Sequence, residues 1–140
     1  MKLAVAVTLL LSLVCQLSAS TDDPPGSIRL LPGYVHKHGW GIDSSVGTIA
    51  KKGGLEIHYD IGAMAGNYAD CGKLCGWTDN EVWRKKQVVD DQEVICVFTR
   101  KKMMVISFPK ATANFYATIH SEEDIADMLF MVLTFRNSGK

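Results

Sequence analysis

Polar and apolar residues alternate most regularly between positions 55 and 61. Leu55, Ile57, Tyr59 and Ile61 fall on one side of an extended chain, and Glu56, His58 and Asp60 on the other. Upstream, residues 46–50 form a second extended run. Between the two lies Lys51-Lys52-Gly53-Gly54, which carries the glycines of a tight turn, so the pair reads as a β-hairpin. Four more strand-like runs follow at 82–89, 94–100, 103–108 and 114–120, separated by short turns at 90–92, 101–102 and 109–113. Connections this short favour antiparallel neighbours. Residues 94–98 are apolar on both faces, which predicts a central place in the sheet. Residues 28–31, ahead of Pro32-Gly33, predict a short first strand. Residues 34–47 and 62–80 are rich in small and polar residues and show no period; the second stretch reads as a loop with one helical turn.

The period changes at Ser121. This residue is a good helix N-cap, and Glu122, Glu123 and Asp124 place negative charge in the first turn, where the helix dipole favours it. Ile125, Met128, Leu129 and Val132 follow at helical spacing. Phe130, Met131, Leu133 and Phe135 widen the apolar band beyond one stripe, and Arg136 falls in the expected last turn. Such a helix must be covered on more than one side, by the sheet or by a partner. Met128, Met131 and Phe135 would form a homodimer patch if the sheet left them uncovered.

These elements predict an α+β fold: an antiparallel sheet of about five to seven strands, largely a meander, with the C-terminal helix packed on one face. The expected core is Ile57, Tyr59, Val94, Cys96, Phe98, Ile106, Phe108, Phe115, Ile119, Ile125, Leu129 and Val132. Residues 28–140 form a single domain, with 21–27, containing Asp22-Asp23-Pro24-Pro25-Gly26, as a flexible lead-in.

The first twenty residues carry a different message. Lys2 gives a basic start, residues 3–14 are apolar apart from Thr8 and Ser12, and Ser18-Ala19-Ser20 supplies small residues for cleavage. This layout predicts a secretory signal peptide over 1–20 and an extracellular mature protein. Without Lys2 the charge is 14 basic against 15 acidic residues. That balance gives no global pull toward nucleic acid or an anionic membrane.

Cysteine use fits an oxidising compartment. Cys15 lies in the leader, leaving Cys71, Cys75 and Cys96. Cys71 and Cys75 are expected to pair, with Cys96 a buried free thiol in an apolar strand; a pair using Cys96, or three free thiols, are the alternatives. Three residues separate Cys71 from Cys75 where dithiol oxidoreductases have two, so the pair reads as a structural staple.

Several constellations bear on chemistry. Glu56, His58 and Asp60 put two carboxylates and an imidazole on one strand face, about 7 Å apart in succession, able to hold a metal or move protons; a solvated sheet face has the same pattern. His36 and His38 point the same way if extended and would add metal ligands, against the plainer reading of surface histidines. Asp43, Ser44 and Ser45 sit among Gly41 and Gly47 without the G-x-S-x-G spacing of a nucleophile elbow, and read as a turn. Lys51-Lys52, Arg84-Lys85-Lys86 and Arg100-Lys101-Lys102 would bind a sulfated glycan or other polyanion if they converged. Trp40, Trp77 and Trp83 are expected in the core, the alternative being a carbohydrate-type site. No N-x-S/T sequon occurs and no motif calls for a cofactor. The pattern as a whole points to a secreted non-enzymatic protein, a binding or structural component of an extracellular matrix or fluid. A small secreted enzyme or metal-binding protein on the His/Glu/Asp face, and a polyanion binder, are the alternatives.

Overall fold

The structure, a computed structural model, describes residues 22–70 and 80–137. Seven strands build one antiparallel sheet: β1 (Tyr34–His38), β2 (Ser45–Lys51), β3 (Glu56–Ile61), β4 (Glu81–Val89), β5 (Gln92–Thr99), β6 (Met103–Phe108) and β7 (Ala113–Thr118). One α-helix among the described residues, α1 (Glu122–Val132), follows. The spatial order is β1-β2-β3-β7-β6-β5-β4. Two meanders therefore share the sheet. The chain leaves β3, crosses to the far edge, and winds back through β4, β5 and β6 until β7 pairs with β3, Tyr59 opposite Phe115. This is the α+β fold that the pattern predicts.

The turns follow from their residues. β4 and β5 meet at Val89–Gln92 around Asp90 and Asp91, whose φ values of 47° and 63° make a two-residue turn of the type that suits strand twist. Aspartate tolerates that left-handed backbone better than most side chains.

One face of the sheet carries the main core. Ile49, Ile57, Tyr59, Val94, Met104, Ile106, Phe108 and Phe115 are buried there against Met128, Met131, Val132 and Phe135. The helix starts as expected: Ser121 Oγ accepts from the Asp124 N–H at 3.2 Å, and the Asp124 carboxylate returns the bond to the Ser121 N–H. It ends earlier than the apolar band suggests, at Val132. Phe135 lies beyond it, turning back so that its ring sits 4.8 Å from Phe108 and 5.4 Å from Phe115. Arg136 is outside the last turn and reaches the Asp90 carboxylate. Met128, Met131 and Phe135 are all inside the core, so they form no exposed patch; the large apolar residue that the helix shows to solvent is Phe130, 69% exposed.

Three other expectations change. Residues 28–31 form no strand, because Ile28 drops into the core while Leu30 and Leu31 pack against it. A 3-10 turn, Pro25–Ser27, precedes them, and the Gly26 carbonyl accepts from the Arg136 N–H, joining the two ends of the domain. β5 is second from the edge, not central, and β7 holds the middle. Residues 94–98 are apolar on both sides because the opposite face has a smaller core of its own, where Ile95, Val97 and Val105 meet Ala69, Tyr68 and Tyr116. The tryptophans are not core: Trp40 is 86% exposed and Trp83 37%. Trp77 lies outside the described residues. Of the expected core, Cys96, Phe98, Ile125 and Leu129 are only partly buried, all toward the β4 edge. Cys15, Cys71 and Cys75, and the leader itself, lie outside the described residues; Cys96 is a free thiol.

Candidate functional site

The two sets of metal-ligand candidates lie on opposite faces of the sheet. His36 and His38 point to the helix side. His36 is buried with its Nδ1 2.8 Å from the Asp22 carbonyl and its Nε2 2.8 Å from the Tyr59 hydroxyl. A carbonyl only accepts, so Nδ1 carries the hydrogen and Tyr59 donates to Nε2. His38 Nδ1 stands 3.4 Å from the same hydroxyl. Gly47 makes room for this: a Cβ there would lie 2.4 Å from the Tyr59 oxygen. Burial raises the Tyr59 pKa above its ordinary value, and nearby Asp22 adds to the rise, against a lowering hydrogen bond from Ser45. The result is a polar chain that uses both ring nitrogens of His36 and ends at the exposed His38.

Glu56, His58 and Asp60 share the other face, as alternation predicts, but they do not converge. His58 Nε2 lies 3.4 Å from Glu56 Oε1, both half-exposed, and its ring stacks on Tyr116 at 5.4 Å. Asp60 turns away to accept from the Tyr68 hydroxyl, whose pKa is raised well above the usual tyrosine range by burial and then by that bond. Among the described residues, no group of three or more His, Cys, Asp or Glu side chains is arranged to hold a metal ion. Beside this row, buried Asn114 accepts from the Tyr68 N–H at 2.9 Å and the Ser107 hydroxyl at 2.8 Å, and donates to the Gly66 carbonyl at 3.0 Å. Asn114 and Ser107 thus tie residues 66–69 to the sheet. Asp43, Ser44 and Ser45 lead into β2, with Gly62 packed against the backbone of Asp43 and Ser44.

The basic residues divide according to strand alternation. On β4, Arg84 pairs with Glu81 and with Asp70 at 2.6 Å, and Lys86 with Glu93 at 2.9 Å. Lys85 lies on the other side of the strand, opposite Cys96.

That side holds a feature the sequence did not announce. β4 is the sheet edge, and α1 stops short of covering it. An open cleft of about 200 Å³ remains between them, walled by Trp83, Val89, Val94, Cys96, Leu129 and Leu133, with Lys85 and Gln87 at the rim. Trp83 stacks on Phe98 at 6.0 Å and closes one end. Only apolar atoms are exposed within it. At its floor, burial pushes the Cys96 thiol up to about 11. Two signals for the cleft are present in the sequence: Trp83, Lys85, Gln87 and Val89 alternate as a half-apolar edge face, and the apolar band of the helix extends to the flank positions Leu129 and Leu133.

Comparisons of the chain with models of known protein families, with curated protein sequences and with solved structures find no match. No helix among the described residues is long and apolar enough to cross a membrane.

Proposed function

We propose that this chain is a secreted, non-enzymatic binding protein that takes a small apolar ligand in the cleft between β4 and α1. The observation that carries this reading is the cleft itself, a concave space between the β4 edge and the helix in which only apolar atoms are exposed. A dry cavity of about 150 Å³ is enough to hold benzene, so a single ring or a short alkyl chain fits here. Eight buried CH₂ or CH₃ groups at about 0.8 kcal/mol each contribute about 6 kcal/mol. Immobilising the ligand offsets at least about 4 kcal/mol of this, so a simple alkyl probe should bind weakly, with a dissociation constant above about 1 mM. The leader at 1–20 supports export. A catalytic reading of the histidines has less behind it, since both ring nitrogens of His36 are taken by the Asp22 carbonyl and the Tyr59 hydroxyl and His58 faces Glu56.

The test uses 1-octanol and the one thiol at the cleft floor. Octanol is expected to slow alkylation of Cys96 by N-ethylmaleimide in a saturable way. Gln87→Trp, which places a ring at the rim on an exposed strand, should abolish both the protection and the calorimetric binding. Unprotected alkylation with no measurable heat in the wild type overturns the reading.

A second reading, polyanion binding, has a specific observation behind it. The turns bearing Lys51-Lys52 and Arg100-Lys101-Lys102 lie at the same end of the sheet, three strand spacings or about 14 Å apart. Retention on a heparin column that weakens with salt supports it, and flow-through at low salt removes it.

A further inference from the structure

We infer that the cleft selects an amphipathic anion, a short-chain carboxylate of the medium-chain fatty acid type, and that Lys85 is the residue that selects it. This rests on the cleft being a ligand site. Three basic residues stand in a row on β4, and alternation separates their roles. Arg84 and Lys86 project to the outer face, where Glu81, Asp70 and Glu93 neutralise them. Lys85 projects to the cleft side, its Cα opposite that of Cys96, and makes no ion pair with any described carboxylate. An apolar pocket lined on one side by the stem of a lysine that is in no ion pair is complementary to a molecule with an alkyl or aryl body and a single negative end.

The direction of the ligand follows from the helix. Ile125, near its start, shares a hollow with Val82 and Phe98, whereas Leu133, at its end, lines the cleft with Val89. The helix therefore runs alongside β4 in the same sense, and its negative carbonyl end lies toward Val89. A carboxylate is disfavoured there and favoured at the Trp83–Lys85 end. The tail then lies on Val94, Cys96 and Leu129, between the strand and the helix. A cationic head group has no favourable place at the Lys85 mouth.

The experiment compares octanoate, 1-octanol and octylammonium by calorimetry on the folded mature chain, with Lys85→Gln alongside. A partly exposed ion pair supports a preference of about threefold to tenfold for octanoate over octanol. Octylammonium should gain nothing from Lys85, so Lys85→Gln should not weaken it. Lys85→Gln should erase the octanoate preference while leaving octanol binding unchanged, and raised salt should shrink the preference in the wild type. Lys85 is exposed on an edge strand, so the substitution leaves the fold intact, which a thermal melt verifies. Equal affinity for octanoate and octanol, or an equal loss of both in Lys85→Gln, overturns the anion selectivity and leaves the apolar site standing. Binding of none of the three ligands overturns the site itself. Octanoate binding that persists in Gln87→Trp places the anion elsewhere and also overturns the inference.

Discussion

Phe135→Ala separates two uses of the same side chain, core wedge and subunit contact. The ring is 2% exposed and meets Phe108 and Phe115 in an aromatic cluster. It also backs onto Gly26, where an added Cβ would lie 2.3 Å from it. Deleting it opens a cavity that neighbouring aromatics cannot close without losing their own contacts. Buried Phe→Ala changes cost about 3–5 kcal/mol, a large share of the about 5–15 kcal/mol that holds a domain together. At about 3–5 °C per kcal/mol for a chain of this size, the melting temperature should fall by about 10–20 °C. Urea titration should give a lower midpoint at an unchanged slope, the mark of lost stability rather than altered compactness. Phe130→Ala on the exposed side of the same helix is the control, with a change within about 0.5 kcal/mol. A loss under about 1 kcal/mol in Phe135→Ala, accompanied by a halving of the mass in light scattering, would refute the core placement and restore the dimer patch.

Asn114→Ala should cost about 2–4 kcal/mol, because it leaves the Ser107 hydroxyl, the Tyr68 N–H and the Gly66 carbonyl short of partners. Hydrogen exchange at the Tyr68 and Ala69 amides should accelerate, and unchanged protection there would contradict the network. Alkaline conditions test Cys96. Its thiol ionises near 9 when unfolded but is held up to about 11 by burial. The folded chain thus binds more protons between those values, and stability present below pH 9 is lost as pH rises through 11. Cys96→Ala should flatten that part of the decline in urea midpoints, and parallel curves for the two proteins would count against the burial. Tyr59→Phe removes the donor to His36 Nε2 and should destabilise by about 1–2 kcal/mol; an unperturbed melt would show that His36 finds another partner.

Much of the sheet was legible because its strands are regular. The alternation over 55–61 located β3 and its buried side correctly, and the turn before it falls where lysine and glycine cluster. Ser121 marked the start of the helix to the residue, since cap chemistry is local. Topology was less visible. Nothing local in 62–80 says that the chain crosses to the far edge, so β5 was placed centrally when β7 is. β1 went unassigned because Gly39 and Gly41 obscure a strand whose inward residues are Tyr34 and His36, one aromatic and one polar. The end of the helix was misjudged because Phe135 continues the apolar spacing while serving the core from a turn. Trp40 and Trp83 were expected inside on composition alone, but large aromatic side chains also occupy edges and loop tips. The cleft escaped for a related reason: it arises from where α1 stops relative to β4, a tertiary fact with only a faint trace in the mixed face of the strand.

The most direct test of the central claim is an amide and methyl NMR titration of residues 21–140 with octanoate. The account predicts saturable shifts centred on Trp83, Lys85, Cys96, Leu129 and Leu133, with His36, His58 and the 51–54 turn unmoved. Shifts that centre on the histidines or the lysine turns, or no saturable change at any octanoate concentration below micelle formation, would contradict it.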